Sequence, residues 1–325
     1  MKLSTIPKVA TVFGGSGFVG RHVVRALVNR GYSVRVAVRR PDLAFHLQPL
    51  GNVGQIQLMQ ANLRYPASVE RAVKGADVVI NLVGILQETG RQRFGSVQAN
   101  GAATVAAVSK KAGAALIHVS SIGANSEASS EYLETKGLGE EVVHENHRKA
   151  VILRPSIVFG PEDDFFNRFG AMSRLSPFLP LIGGGVTKFQ PVYVGDVAEA
   201  VALAADGKLL SGKVYELGGP QIASFRDCME IVLKQVCRSR ILISIPWFAA
   251  RVLGTLTGWL PGAPITADQV ESLKVDNVVS SDAIKRGLTL EGMGVTPTPM
   301  AAILPSYMVQ YRPSGQFTEV DPEGN

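Results

Sequence analysis

Short apolar runs alternate with amphipathic stretches through most of the chain, and that rhythm predicts its fold. Val9–Phe13, Ser33–Val38, Val53–Met59, Asp77–Val83 and Ala115–Ser120 read as strands. Within them, Val78-Val79-Ile80 and Leu116-Ile117-His118-Val119 lack a polar alternate face, as parallel strands covered on both sides do. The intervening stretches carry apolar residues at helical spacing, beginning with Val19, Val23 and Leu27 and continuing over 67–74 and 96–112. Further strands are predicted at Ala150–Leu153, Phe189–Val194 and Val214–Leu217, with a helix N-capped by Asp196. Strands alternating with helices predict an α/β fold built on a doubly wound parallel sheet.

The alternation occupies residues 1–240. Inside it, Phe159–Val186 is rich in Gly, Pro and Phe, so 161–188 is expected as an inserted loop on the substrate or partner side. After residue 240 the rhythm fades, which predicts a smaller C-terminal domain over 241–325 whose tail, from Arg312, stays mobile until something holds it. Trp247–Leu260 is strongly apolar but only fourteen residues long, about 21 Å of helix against a bilayer core of ~30 Å. It does not span a membrane. Phe248, Val252, Leu256 and Trp259 fall near one helical face, which predicts a core helix by default and contact with lipid or a membrane-embedded partner as the sharper alternative.

The first strand runs into Gly14-Gly15-Ser16-Gly17-Phe18-Val19-Gly20 and then into a helix closed by Gly31. Strand, glycine loop and helix in that order form a dinucleotide-binding fingerprint of the Rossmann type: Gly14 for the turn, Gly17 for close approach to a pyrophosphate, Gly20 for helix packing. The amides of Phe18, Val19 and Gly20 then face the anion, and Ser16 adds a hydroxyl donor. At the end of the second strand stand Arg39 and Arg40, where an acid would hold the ribose diol of NAD. One arginine on a ribose phosphate favours NADP(H) by about ten- to a hundredfold, which predicts NADPH. The competing reading leaves both arginines solvated at a strand end.

Charge fits the same picture. The chain of 325 residues carries a formal net charge of +6, and its first sixty residues hold eight Lys or Arg against the single acid Asp42. A phosphorylated cofactor accounts for that basic region, and the interleaved aromatics of a nucleic-acid binder are missing from it. With 46% hydrophobic residues, most of the chain folds around a core. Cys228 and Cys237, nine apart without histidine partners, suit a reducing compartment and offer neither a disulfide framework nor a metal site. Met1-Lys2-Leu3-Ser4 leads quickly into the first strand, leaving no room for a signal or transit peptide, so the protein is expected to remain where it is made.

A second constellation follows the strand ending Val119-Ser120-Ser121. Tyr132 and Lys136, one helical turn apart, can share a face, so that the ammonium favours the phenolate while Ser121 orients a carbonyl or hydroxyl. On their own, a Tyr and a Lys at this spacing are more often a surface pair.

Taken in order, Gly14 to Gly20, Asn81-Leu82-Val83-Gly84, Ser121, Tyr132-x-x-x-Lys136 and Leu153-Arg154-Pro155 resemble the short-chain dehydrogenase/reductase superfamily in its extended and atypical branches, over roughly residues 7–240. The resemblance implies that Asn62 and Leu63 approach adenine, that Val83 and Gly84 approach the central riboses, and that Pro155 and Ser156 approach nicotinamide. It also assigns Ser120, Tyr132 and Lys136 to the cofactor. Two departures bear on catalysis more than on binding: Asn62 replaces the more usual aspartate, and the interval from Ser121 to Tyr132 is short.

A narrower resemblance lies in Phe159-Gly160-Pro161-Glu162-Asp163-Asp164-Phe165-Phe166-Asn167-Arg168-Phe169, Pro180 to Gly185 and Thr187 to Val194. These are similar to the nucleotide-binding accessory subunits of respiratory complex I. That family implies a structural role: NADPH held tightly, Ser121, Tyr132 and Lys136 retained as a vestigial trio, other subunits of complex I as partners, and a seat on the peripheral arm beside the membrane. Here it implies a bacterial member, peripheral on the cytoplasmic side of the inner membrane. Phe165, Phe166, Phe169 and Arg168 would then anchor a partner, whereas in a reductase they would line a substrate cleft and in a third reading they form a solvated acidic turn beside packed phenylalanines. An active NADPH-dependent reductase or epimerase is the alternative function, and a soluble NADP sensor a third.

Overall fold

A computed structural model describes residues 7–90, 92–258 and 265–318. Met1-Lys2-Leu3-Ser4, Trp259-Leu260 and the last seven residues of the acidic tail lie outside the described residues. The path begins β1 (Val9–Phe13), α1 (Phe18–Asn29), β2 (Ser33–Val38), β3 (Ile56–Gln60), α2 (Pro66–Val73), β4 (Val78–Asn81), α3 (Asn100–Lys111), β5 (Ala115–Val119), α4 (Glu131–Asn146) and β6 (Val151–Pro155). It continues through β7 (Val158–Phe159), α5 (Phe165–Leu175), β8 (Phe178–Ile182), β9 (Lys188–Phe189), β10 (Val192–Tyr193), α6 (Val194–Ala205) and β11 (Val214–Leu217). The remainder is β12 (Ala223–Ser224), α7 (Phe225–Gln235), β13 (Ile241–Ile245), α8 (Trp247–Thr257), α9 (Ala267–Ser272), α10 (Ser281–Lys285) and α11 (Met300–Met308).

Two compact units emerge. The first comprises Met1–Pro155, Gly195–Leu217 and Ser281–Val295, and the second Ser156–Val194, Gly218–Ser280 and Thr296–Asn325. Residues 156–194 and 218–240, expected with the nucleotide-binding domain, thus belong to the second unit. The reason is packing: α5, β8 and α7 bury their apolar residues with α8, α9 and α11 in one core that includes Phe166, Leu179, Met229, Ala250, Val270 and Leu304.

The first unit holds a seven-stranded parallel sheet in the order β11-β6-β5-β4-β1-β2-β3. The chain leaves β1 toward β2 and β3 and returns to build β4, β5 and β6 on the other side, so strand order reverses between β1 and β4. A doubly wound sheet opens a crevice at the carboxyl ends of those strands. Val12, Val36, Ile80 and Ile117 are fully or almost fully buried, which is why the strands read as continuous apolar runs.

Several elements differ from their sequence reading. The third strand starts at Ile56, because Gln55 closes a turn on the Asn52 carbonyl, Gly54 takes φ +79°, and Val53 is left in solvent. The predicted strand Phe189–Val194 is two short pieces: the Gln190 amide turns to the Asn277 carbonyl and Pro191 has no N–H to offer. Because α6 begins at Val194, Asp196 sits in its first turn and is not its N-cap. The stretch expected as a loop forms α5 and β8. Of the tail, Arg312 is held by a bond from Nε to the Gln235 carbonyl (2.9 Å), and Gly315–Phe317 forms a short 3-10 turn.

Candidate functional site

The glycine loop connects β1 to α1 in the first unit. Gly14 adopts φ +78°, and a Cβ there would lie 3.3 Å from the backbone of Leu82 and Val83, so the turn rests on the end of β4. Gly20 is required by packing, since its Cβ would fall 2.3 Å from the Gly14 carbonyl oxygen. Gly17 is different. It has φ −77° and ψ 178°, and the nearest atom to an added Cβ is 3.5 Å away, an ordinary contact. The fold therefore accepts a side chain at Gly17. Gly17 is also the N-cap of α1, with no side chain bonded to the helix start and no acid in its first turn, which carries Phe18, Val19 and Gly20 beside half-buried Ser16. An exposed backbone position at the mouth of an uncapped helix fits a pyrophosphate.

Arg39 and Arg40 are both exposed beyond β2, but they are not equivalent. Arg40 forks onto Asp42, with Nη2 to Oδ2 at 2.7 Å and Nε to Oδ1 at 3.1 Å. Arg39 makes no ion pair among the described residues. Each guanidinium beside a ribose suits a phosphate, and Arg39 is the one not already engaged.

The Asn62 side-chain oxygen accepts the Arg64 backbone amide at 3.1 Å, and the Asn62 backbone N–H donates to Ser68 Oγ at 3.0 Å, so the side-chain oxygen is committed to the turn after β3. Leu63 is buried in the core of the first unit against α3, where a Cβ on Gly101 would meet it at 3.0 Å. At the end of β4, the Val83 amide donates to Asn81 Oδ1 (3.2 Å), while Asn81 Nδ2 contacts His118 Nδ1 (3.2 Å) across the β4–β5 pair. That bond makes Nδ1 the acceptor and puts the ring proton on Nε2, which is buried without a partner. Burial, and then the field of Lys136, push His118 down to about 3, so the ring is neutral.

Tyr132 and Lys136 fall one turn apart on α4. The Tyr132 ring lies edge-on to Phe94 with centroids 6.1 Å apart. Lys136 is buried; its Nζ donates to the Val119 carbonyl at 3.3 Å, and a Cβ on Gly84 would sit 3.2 Å from it. Lys136 is thus gathered with Gly84 and the end of β5. An ammonium with three donors and one acceptor is under-satisfied, and burial pushes Lys136 down to about 8 against the opposing pull of Glu140. The Ser120 and Ser121 hydroxyls at the same strand end are buried with no partner. Two orphaned hydroxyls and a spare ammonium beside Gly84 are the donors that ribose oxygens require, so these residues fit the dinucleotide.

Other predicted positions are used differently. Pro155 ends β6 and its carbonyl accepts the Ile122 amide. The Ser156 hydroxyl belongs to the second unit, where it donates to Asn277 Oδ1 at 2.6 Å and accepts the Gln190 amide, so its oxygen is occupied. Phe165, Phe166 and Phe169 do not project as anchors. Phe165 packs on Phe166, Phe169 and Phe189 at centroid distances of 5.1, 5.4 and 5.9 Å, Phe169 packs on Phe225 at 5.5 Å, and Phe166 packs on Phe159 at 6.0 Å. Asp163 is buried beneath them and accepts the Tyr307 hydroxyl at 2.5 Å and the Phe166 amide at 2.6 Å, fixing α11 to the start of α5. Glu162 and Asp164 remain exposed.

The α8 face also departs from its default. Phe248 is 80% exposed and Leu256 67%, while Ala250 and Gly254 face the core, so the larger apolar residues point outward. Ile241 and Ile243 of neighbouring β13 are exposed as well.

Sequence reasoning missed Asn81 and His118 as a pair, although a histidine within an apolar strand was a signal. It also missed Glu140, which is buried and takes a two-toothed grip from Arg154 (2.7 to 3.1 Å), tying α4 to β6.

A parallel sheet reversing at a glycine loop, with a Ser, Tyr and Lys beyond its fifth strand, defines a nicotinamide-dinucleotide-binding protein. Residues 10–218 match the NAD dependent epimerase/dehydratase family, and the chain belongs to it. It is 35% identical over 321 residues to "NADH dehydrogenase [ubiquinone] 1 alpha subcomplex subunit 9, mitochondrial" of Arabidopsis thaliana, covering 94% of this chain and 79% of that protein. A "Ceramide reductase" of Caulobacter vibrioides is 32% identical over 190 residues, 58% of each chain. Among solved structures, a dTDP-glucose 4,6-dehydratase from Streptomyces venezuelae with NAD and TYD bound superposes with a TM-score of 0.69 at 19% identity, covering 93% of this chain and 96% of that one.

Proposed function

We propose that this chain is a non-catalytic accessory subunit of a bacterial NADH:quinone oxidoreductase, holding NADPH as a structural ligand, peripheral on the cytoplasmic side of the inner membrane. The observation that carries this reading is identity to a complex subunit along nearly the whole chain, second unit included. The site supports it: the loop fits a pyrophosphate and Arg39 is available to a phosphate. A ligand bound only to the folded state stabilises it by mass action, about 2.7 kcal/mol at a hundredfold excess over Kd. That stabilisation is the function assigned to NADPH here.

The outward apolar residues of α8 and β13 are the surface we assign to the assembly, because exposed apolar patches mark partner or membrane contacts. No described helix is long and apolar enough to cross a membrane. Native gel analysis of solubilised membranes tests the assignment: the chain should co-migrate with NADH-oxidising activity, and migration at its own mass would overturn it.

A second reading, an NADPH-dependent reductase or epimerase, is favoured by Lys136. A lysine at about 8 one turn from Tyr132 suits proton transfer between phenol and substrate, and bound NADPH would supply the hydride. Tyr132→Phe separates the two: the accessory reading predicts unchanged assembly and membrane NADH oxidation, the reductase reading loss of a turnover.

A further inference from the structure

We propose that Asp42 is a specificity-determining residue that competes with the cofactor's ribose phosphate for Arg40. The inference rests on the NADPH reading and deepens it. Arg39 and Arg40 stand together at the end of β2, on the side of the glycine loop where the ribose of a dinucleotide lies. Arg40 turns its Nε/Nη2 edge to Asp42, at 2.7, 3.1 and 3.2 Å, whereas Arg39 has no ionic partner among the described residues. Asp42 is the one acid in the first sixty residues, set two positions past Arg40 in the 3-10 turn Pro41–Leu43.

Two effects follow from that placement. The Asp42 carboxylate occupies the side-on Nε/Nη2 edge of the guanidinium, so Arg40 offers a phosphate that two-toothed edge only after exchanging partners. Its negative charge also lies next to where a phosphate dianion would settle and weakens the attraction. Because both side chains are in solvent, the exchange is easy, and Asp42 tempers NADPH preference without abolishing it. Arg39 is the primary reader, and Arg40 is a reserve governed by Asp42.

The test is the ratio of NADH to NADPH dissociation constants, by calorimetry or fluorescence on the full chain, with thermal unfolding to verify folding. Asp42→Asn is expected to raise the ratio about fivefold at moderate salt and more at low salt, because the affected charges are exposed. The gain should vanish in Asp42→Asn with Arg40→Ala. A ratio unchanged by Asp42→Asn, or a gain surviving removal of Arg40, overturns the proposal. Arg39→Ala separates this from the parent reading. If that variant loses NADPH preference about ten- to a hundredfold while Asp42→Asn does nothing, only the Asp42 inference fails. If the unaltered chain shows no preference, the NADPH reading fails.

Discussion

Gly17→Ala isolates the cofactor's contribution, because the fold itself makes no demand for glycine at that position. The backbone there is extended and the new methyl would contact nothing closer than 3.5 Å. Reduced freedom of the unfolded chain favours alanine by about 0.4–1 kcal/mol, and alanine's poorer fit at a helix N-cap costs about 0.5–1 kcal/mol, so ligand-free stability should stay within about 0.5 kcal/mol. Binding should not survive so easily. The methyl holds the phosphate away from the α1 amides, and weakening one charge-assisted bond raises Kd about ten- to a hundredfold. At an NADPH concentration a hundred times the original Kd, ligand stabilisation falls from about 2.7 to about 0.4 kcal/mol for the larger loss. In a thermal-unfolding assay of this 325-residue chain that difference removes about 3 °C of the NADPH-induced shift. Gly20→Ala is the contrast: its Cβ meets backbone atoms at 2.3 and 2.6 Å, so ligand-free stability should drop by about 3 kcal/mol or more. A Gly17→Ala chain that keeps the full NADPH-induced shift would refute the reasoning.

Lys136 titrates near 8 when folded and near 10.4 when unfolded, so the unfolded chain binds more protons between those values and ligand-free stability should climb as pH rises through that window. Urea unfolding of Lys136→Met should show that slope gone and stability at pH 7 raised on the order of 3 kcal/mol. Tyr307→Phe deprives buried Asp163 of its hydroxyl donor and should cost about 1–3 kcal/mol by the same assay, with dinucleotide affinity unchanged. Phe248→Asp with Leu256→Asp should leave the isolated chain within about 0.5 kcal/mol, because both side chains are exposed, yet release it from membranes during a salt wash that retains the unaltered chain. Equal retention of both chains would remove α8 from the attachment surface.

Where local chemistry decided, the sequence was readable. Val9–Phe13, Ser33–Val38 and Val214–Leu217 are strands at their predicted bounds, because charged residues and glycines punctuate buried apolar runs. The order of strand, glycine loop and helix, and the placement of Tyr132 and Lys136 one turn apart on α4, were legible for the same reason: each depends on spacing within one turn or helix. What escaped depends on contacts between distant positions. Phe165 and Phe169 look like anchors in a Gly- and Pro-rich stretch until Phe189 and Phe225 surround them. Asp163 looks like surface charge until Tyr307, 144 positions later, donates to it. The second unit is assembled from three separated segments, so no single composition change marks its boundary. Outward-facing Phe248 and Leu256 could not be told from core because helical spacing gives a face without saying which way it points.

Isolating the chain under mild conditions from its own membranes, denaturing it, and analysing the released small molecules by mass spectrometry bears most directly on the account. NADP(H) in about one-to-one ratio with the polypeptide is the predicted outcome. Release of NAD(H) alone, or of no pyridine nucleotide, would contradict it.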